Sequence, residues 1–285
     1  VSNSIHISAL YLYPVKSCAG ERVEELPLDA LGAVDDRRFM LVDADGRFVT
    51  QREHPALAKV TVRRVAGGLV LSAPTCDALR VGTPDASVPS RDARVWSDDV
   101  HVRDCGDAAA AWFADFLGVP VRLVHLPVEA GRQVDRRYAP PGARTGLSDG
   151  FPLLVATDAS LADLARRAGT PLVMERFRPN VVLADSLPWE EDDWLVLRVG
   201  GVTLTLVKPC ARCSITLVDP ETGTPGTEPL RALATFRRGA HLGFAGVSAT
   251  STYFAWNALH AGAGPLRVGD PVEVVSRRTD GARSD

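Results

Sequence analysis

What most limits the fold of this chain is a rhythm of short runs that alternate apolar and polar residues, each closed by a turn signal. Val202-Thr203-Leu204-Thr205-Leu206-Val207 is the cleanest example. Period-two alternation puts every second side chain on one face, which specifies a half-buried strand and not a helix. Residues 5–11, 38–42, 48–51, 59–65, 69–71, 79–81, 94–96, 100–103 and 121–126 read the same way, with hairpin signals at Asp43-Ala44-Asp45-Gly46 and Gly67-Gly68. Strands this short and this closely spaced predict a small β-barrel or sandwich. The second half repeats the pattern at 152–156, 180–184, 194–199, 202–207, 215–218, 246–252 and 271–275, with Gly200-Gly201 as a hairpin turn.

Three segments change period. Residues 104–117 carry an apolar stripe at helical spacing, with Asp107 placed to cap and Gly118 to stop; 159–168 follow Asp158 and end at Gly169; 229–236 make a third, short helix. The fold class expected is therefore mainly β with a few helices. Residues 129–149 are polar and rich in Arg, Pro and Gly, too long for an ordinary connection, so they form a linker or a functional loop. The tail 277–285 is polar and expected to fray.

Length and charge narrow the function. A chain of 285 residues holds two modest domains or one large one, and a net charge of −3 argues against general nucleic-acid binding. Of the basic residues only Lys16, Lys59 and Lys208 are lysines. In so arginine-rich a chain a single Arg is weak evidence of function, and a retained Lys is slightly stronger. No apolar run approaches a bilayer-spanning length, and residues 1–13 alternate instead of forming a signal-peptide core, so a cytoplasmic protein with no membrane contact is expected. Cysteines at 18, 76, 105, 210 and 213 are an odd, scattered set, unlike a disulfide framework.

The segment richest in chemistry follows the clean strand: Lys208-Pro209-Cys210-Ala211-Arg212-Cys213. Groups at a strand exit are held still while facing solvent or ligand. A thiolate is a soft metal ligand and a nucleophile, and the always-charged Arg212 beside it favours that form. A structural zinc site would need a second pair of ligands, which is missing. A thioredoxin-type dithiol would need a following helix, whereas Ile215-Thr216-Leu217-Val218 alternates like a strand. Two inert half-buried thiols are the bland alternative, at about even odds from spacing alone.

Other constellations are weaker singly. Arg176-Phe177-Arg178-Pro179-Asn180 offers two guanidiniums and an amide at a strand mouth, suited to a bidentate anion or to solvent. Lys16-Ser17 follows a strand in a loop closed by Gly20 and suits phosphate, without the glycine pattern of a P-loop. Asp35-Asp36-Arg37-Arg38 and Thr50-Gln51-Arg52-Glu53 add cations at strand ends, where surface ion pairing is the default reading. The six histidines are dispersed without metal-ligand spacing, and no G-x-S-x-G is present.

Taken in order, these segments carry a resemblance. Tyr13-Pro14-Val15-Lys16-Ser17-Cys18, Asp36-Arg37-Arg38-Phe39, Arg176-Phe177-Arg178-Pro179-Asn180, Pro209-Cys210-Ala211-Arg212-Cys213 with Asp219-Pro220-Glu221-Thr222-Gly223, and Val268-Gly269-Asp270-Pro271-Val272 together resemble a MOSC-domain protein preceded by the MOSC N-terminal β-barrel domain. The likeness is to bacterial relatives of the mitochondrial amidoxime-reducing component, and it covers residues 5–275. It implies an N-terminal β-barrel domain at 1–127, a β-barrel MOSC domain at 128–277 and a polar tail at 278–285.

The resemblance also implies a cofactor and a reaction. In that family molybdenum is held by one pterin dithiolene that ends in a phosphate, and Cys213 matches the cysteine that ligates the metal. Lys16, Ser17, Arg37, Arg178, Asn180 and Arg212 match cofactor contacts, and Asp149-Gly150 aligns with a further cofactor loop. Molybdenum-ion binding and pyridoxal phosphate binding are further expectations of that kind. The reaction implied is reduction of N-hydroxylated compounds such as amidoximes, hydroxylamines and N-hydroxylated bases. No C-x₄-C-x₂-C run is present, so no iron–sulfur cluster of its own is expected. Electrons would come from a separate ferredoxin- or flavin-type reductase. A carrier of cofactor or sulfur without reductase activity, and a binding module that has lost the metal, are the alternatives.

Overall fold

The computed structural model describes residues 4–244 and 246–278. Its largest sheet has eight strands, in the order Glu21–Val23, His6–Leu12, Val181–Ala184, Leu153–Thr157, Tyr253–Gly262, Val202–Ala211, Trp194–Val199 and Glu273–Arg277. Val202, Leu204 and Leu206 are buried, as period two requires, and share one core with Trp194, Leu197, Trp256, Ile7 and Leu10. The sheet curls until its ends meet. Ile7 N donates to Asp270 O at 3.0 Å and Val272 N to Ile5 O at 2.8 Å, so the lead-in to the last strand rejoins the first strand. Closure of this kind satisfies backbone groups that an open edge would leave unpaired.

Leu153–Thr157 and Val181–Ala184 run parallel. A parallel pair needs a crossover, which here contains the helix Asp158–Ala168. His6–Leu12 lies far away in sequence yet pairs with Val181–Ala184. Because this pair is antiparallel, the loop after His6–Leu12 stands beside the segment that leads into Val181–Ala184, whatever their separation along the chain.

The N-terminal region forms a second, nearly closed barrel. Five strands run in the order Ser90–Val95, Asp98–Asp104, Arg122–His125, Phe39–Val42 and Phe48–Val49, beside a three-stranded sheet of Cys76–Gly82, Gly68–Ala73 and Thr61–Val65. Phe39, Leu41, Val62, Leu71 and Leu123 pack with Phe113 of the helix Asp107–Leu117. Met40, Val42, Val95, Val102 and Val124 point the other way into a separate core. Four-residue Phe39–Val42 is buried on both faces, which explains its unbroken apolar run.

Several local expectations are corrected. Residues 215–218 are not a strand: Ser214–Leu217 is a 3-10 turn, in which Cys213 O accepts from Thr216 N at 3.1 Å and from Thr216 Oγ1 at 2.9 Å. Four residues are too few for alternation to separate a strand from one tight turn. Residues 246–252 are not a strand either; the strand is Tyr253–Gly262. Gly246 has a φ of +74°, and Ser248 N is taken by Tyr253 Oη at 2.9 Å, so this backbone is satisfied locally. Asp107 and Asp158 are first helical residues, not caps; Gly106 precedes one helix, and Thr157 Oγ1 caps the other by accepting from Ser160 N at 3.2 Å. The strand expected at 202–207 runs on to Ala211, so Cys210 is part of the sheet. Of the polar tail, residues 279–285 lie outside the described residues.

Residues 129–149 are an anchored loop. Arg132–Gln133 pairs with Arg144–Thr145, and the buried Arg132 donates to Gly146 O at 3.0 Å, to Asp98 Oδ2 at 2.6 Å and to Ser148 O. These bonds fix the segment that delivers Asp149 and Gly150.

Candidate functional site

One cleft, with about 770 Å³ of unfilled space including its open mouth, is lined by Lys16, Ser17, Arg37, Asp149, Gly150, Arg178, Asn180, Arg212 and Cys213. All nine residues singled out in the sequence meet there. They come from five separate segments, brought together because His6–Leu12 and Val181–Ala184 pair and the strand ending at Ala211 lies in the same sheet. The ladder of Val202–Ala211 with Tyr253–Gly262 is irregular between Leu206 and Lys208 and again between Pro209 and Ala211. Such irregularities re-aim side chains, and here they immediately precede the cysteine pair.

Three of the nine hold left-handed backbone without being glycine: Ser17 at φ 70°, Arg37 at φ 46° and Arg178 at φ 56°. Each costs about 1–3 kcal/mol, so the surrounding bonds must hold them. Ser17 O accepts from the buried Gln51 Nε2 at 2.6 Å. Arg37 N donates to Tyr13 O at 2.8 Å and Leu147 N donates to Arg37 O at 2.9 Å.

Lys16 is buried, and its Nζ donates to Asp149 Oδ1 at 2.5 Å and to Leu147 O at 2.9 Å. Burial pulls the ammonium below its ordinary pKa, with Asp149 opposing. The protein packed around Asp149 on its cleft side would raise the carboxyl, but the Lys16 charge, Arg52 and the Trp96 indole N–H outweigh it and hold the group well below the usual carboxylate range. The Asp149 side chain is 63% exposed, its open face lining the cleft, so this pair is a wall of the site and not a sealed ion pair.

Tyr13, fully buried, lies between two guanidiniums: Arg37 Cζ is 4.3 Å and Arg178 Cζ 4.2 Å from its ring centre. Arg37 is spent on structure. It reaches Asp36 Oδ2 at 2.5 Å, Asn180 Oδ1 at 3.2 Å and Arg178 O at 2.8 Å. Asn180 is likewise occupied, since Oδ1 also accepts from Leu154 N at 3.2 Å and Nδ2 donates to Tyr11 O at 3.3 Å. Arg178 differs. Nη1 donates to Cys18 O at 2.7 Å, while Nη2 is buried without a partner. Burial and then the like charge of Arg37 pull its pKa down to about 10.

In the cysteine loop, Arg212 donates to Cys210 Sγ at 2.9 Å and to Phe177 O at 2.8 Å, leaving a buried Nε without a partner. Burial raises the Cys210 thiol despite Arg212. Cys213 is partly exposed, and Arg52 Nη2 lies 3.4 Å from its sulfur. Not every flagged cation joins the cleft. Arg176 turns away to Asp219 Oδ2 at 2.6 Å, where Asp219 Oδ1 also accepts from Thr222 N at 2.9 Å, so that pair braces the loop after Cys213. Arg38 Nη2 donates to both carboxylate oxygens of Asp29, at 2.7 and 2.8 Å.

The sequence reading missed Arg52, Trp96, Ser148 and Asn257. Arg52 was visible as a strand-end cation, for which surface pairing was the default; no one-dimensional signal connected it to Cys213. Among the described residues no group of three or more His, Cys, Asp and Glu could cage a metal ion.

The MOSC N-terminal beta barrel domain matches residues 4–120 and the MOSC domain matches residues 142–273. The chain is 36% identical over 241 residues to mitochondrial amidoxime reducing component 2 of Macaca fascicularis, covering 81% of this chain and 72% of that one. It is 35% identical over the same length to the Homo sapiens protein of that name. It is 33% identical over 285 residues to mitochondrial amidoxime-reducing component 1 of Mus musculus, covering 95% of this chain and 82% of that one. The chain belongs to the MOSC-domain family, in the group whose MOSC domain follows a MOSC N-terminal β-barrel.

Proposed function

We propose that the protein is a molybdenum-cofactor-dependent oxidoreductase that reduces N-hydroxylated compounds, supplied with electrons by a separate protein. The observation that carries this reading is the cleft itself: two half-buried thiols, Cys210 held by Arg212 and Cys213 not, set among Lys16, Arg178 and Arg212 with two buried guanidinium nitrogens unpartnered. That donor set fits a soft, sulfur-rich metal whose organic ligand ends in an anion.

When bound, the cofactor supplies the two-electron chemistry. The protein's own residues bind and orient. Cys213 offers the single thiolate. Arg178 Nη2 and Arg212 Nε are donors for the anionic end, while Arg37 and Asn180 fix the backbone around Arg178. Asp149 opposes the loss of charge that burial favours at Lys16. Water at the open mouth would supply the protons. The pyridoxal phosphate expectation has less support, because the cleft's lysine is already paired with Asp149.

Protein from a molybdenum-replete host should hold molybdenum and pterin, and should turn over a model amidoxime with an artificial electron donor. Metal without turnover would favour a carrier of cofactor or sulfur. Protein without metal would defeat the proposal. Among the described residues no helix is long and apolar enough to cross a membrane.

A further inference from the structure

We propose that Arg52 is a positioning residue for Cys213, holding a guanidinium N–H on its sulfur and thereby raising the reduction potential of the metal bound there. Arg52 sits in a turn fixed by its own first residue: Thr50 Oγ1 accepts from Arg52 N at 3.2 Å, and Glu53 Oε2 accepts from Thr50 N at 3.1 Å. Among the described residues its side-chain hydrogen bond is to Cys213 Sγ, at 3.4 Å. Asp149 feels its charge but is paired at 2.5 Å with Lys16.

The guanidinium is aimed by an aromatic plate. Arg52 Cζ lies 4.6 Å from the Trp96 ring centre. Trp96 is braced by Phe48, centre to centre 5.0 Å, and by its Nε1–H on Asp149 Oδ1 at 3.3 Å. It is 46% exposed and has a φ of 57°. A bulky side chain in left-handed backbone at a cleft mouth is a strain that persists only where neighbours over-determine it. The result is a continuous relay of contacts from Lys16 through Asp149, Trp96 and Arg52 to the cysteine sulfur.

Hydrogen bonds to ligating sulfur and nearby charge tune the potential of sulfur-bound metals. A donor and a positive charge at the thiolate stabilise the state with more electrons, so the metal accepts an electron from dithionite or a donor protein more readily. The inference rests on Cys213 being the metal's thiolate.

The test compares wild type, Arg52→Met, Arg52→Lys, Trp96→Phe and Trp96→Ala, each purified from a molybdenum-replete host. Metal content is measured first, then the one-electron potential by dithionite titration followed by electron paramagnetic resonance. Arg52→Met should keep its metal but shift the oxidised-to-reduced ratio about tenfold toward oxidised, about 59 mV for a one-electron couple. Trp96→Ala should shift the same way, while Arg52→Lys and Trp96→Phe recover part of the shift. Equal potentials in wild type and Arg52→Met would overturn this inference alone. Loss of metal in Arg52→Met would also overturn it, by making Arg52 a retention residue. Absence of molybdenum from wild type would overturn the proposed function together with it.

Discussion

Arg178→Ala separates a ligand-holding arginine from a structural one. In the folded protein the fall of its pKa from 12.5 to about 10 corresponds to roughly 3 kcal/mol spent on keeping the guanidinium charged. Against that stand the hydrogen bond to Cys18 O at 2.7 Å, worth about 1.5–3 kcal/mol for a charged donor, and the stack on Tyr13 at 4.2 Å, about 2 kcal/mol when desolvated. Gain exceeds cost only slightly, and alanine carries the same strain at φ 56°. The variant should therefore unfold in urea within about 2 kcal/mol of wild type. Cofactor retention should behave differently. An anion that takes up the unpartnered Nη2 gains a charge-assisted hydrogen bond, so its loss weakens retention by about ten- to a hundred-fold. Arg178→Lys keeps the charge without the two-pronged fork and should fall between. The assay is molybdenum and pterin content after purification, beside the urea midpoint. Full cofactor content in Arg178→Ala would refute the reasoning, and so would a loss that merely tracks a large drop in stability.

Cys213→Ser should abolish metal binding while Cys210→Ser, whose sulfur is held by Arg212 at 2.9 Å, keeps most of it; equal metal in both would unseat Cys213. Asp36→Ala removes the acceptors of both Tyr13 N at 2.9 Å and Arg37 Nη1 at 2.5 Å. Breaking this buried pair should cost about 3–5 kcal/mol in urea unfolding, and a cost under about 1 kcal/mol would contradict the bracing role. Glu191 is buried, and burial followed by the charge of Asp192 raises its pKa from 4.5 to about 7. Its folded pKa lies above its unfolded one, so between about pH 4.5 and 7 the folded state binds the extra proton and stability falls as pH rises. Urea unfolding at pH 5 and pH 7 should show that decline in wild type and a flatter profile in Glu191→Gln; parallel profiles would rule it out.

Much of the site was legible one segment at a time. Lys16, Arg37, Arg178 and Cys213 each follow or precede a strand, and strand ends are rigid mounts facing outward. Where the reading failed, the cause was local. Ser214–Leu217 is one tight turn whose four residues mimic alternation, and Thr157 outcompetes Asp158 as a cap because its hydroxyl reaches Ser160 N. The sequence also overrated Arg176 and Asn180 as ligand contacts in waiting: Arg176 braces the loop at Asp219, and the amide of Asn180 is spent on Arg37, Leu154 and Tyr11.

Alternation and turn chemistry determined by themselves that this chain is mainly β and which residue types carry chemistry, and the resemblance carried by the order of the motifs implied the two barrels. Side-chain period and turn residues are properties of neighbours along the chain, so a linear reading reaches them. Only the tertiary structure decided which cations are free and which are spent. Whether Arg178, Arg37, Arg176 or Arg52 meets a carboxylate, a carbonyl, an aromatic ring or a sulfur depends on strands paired across the chain, such as His6–Leu12 with Val181–Ala184. Ion pairing and desolvation are set by distances of a few ångströms between residues that the sequence can leave more than a hundred positions apart, as with Arg52 and Cys213.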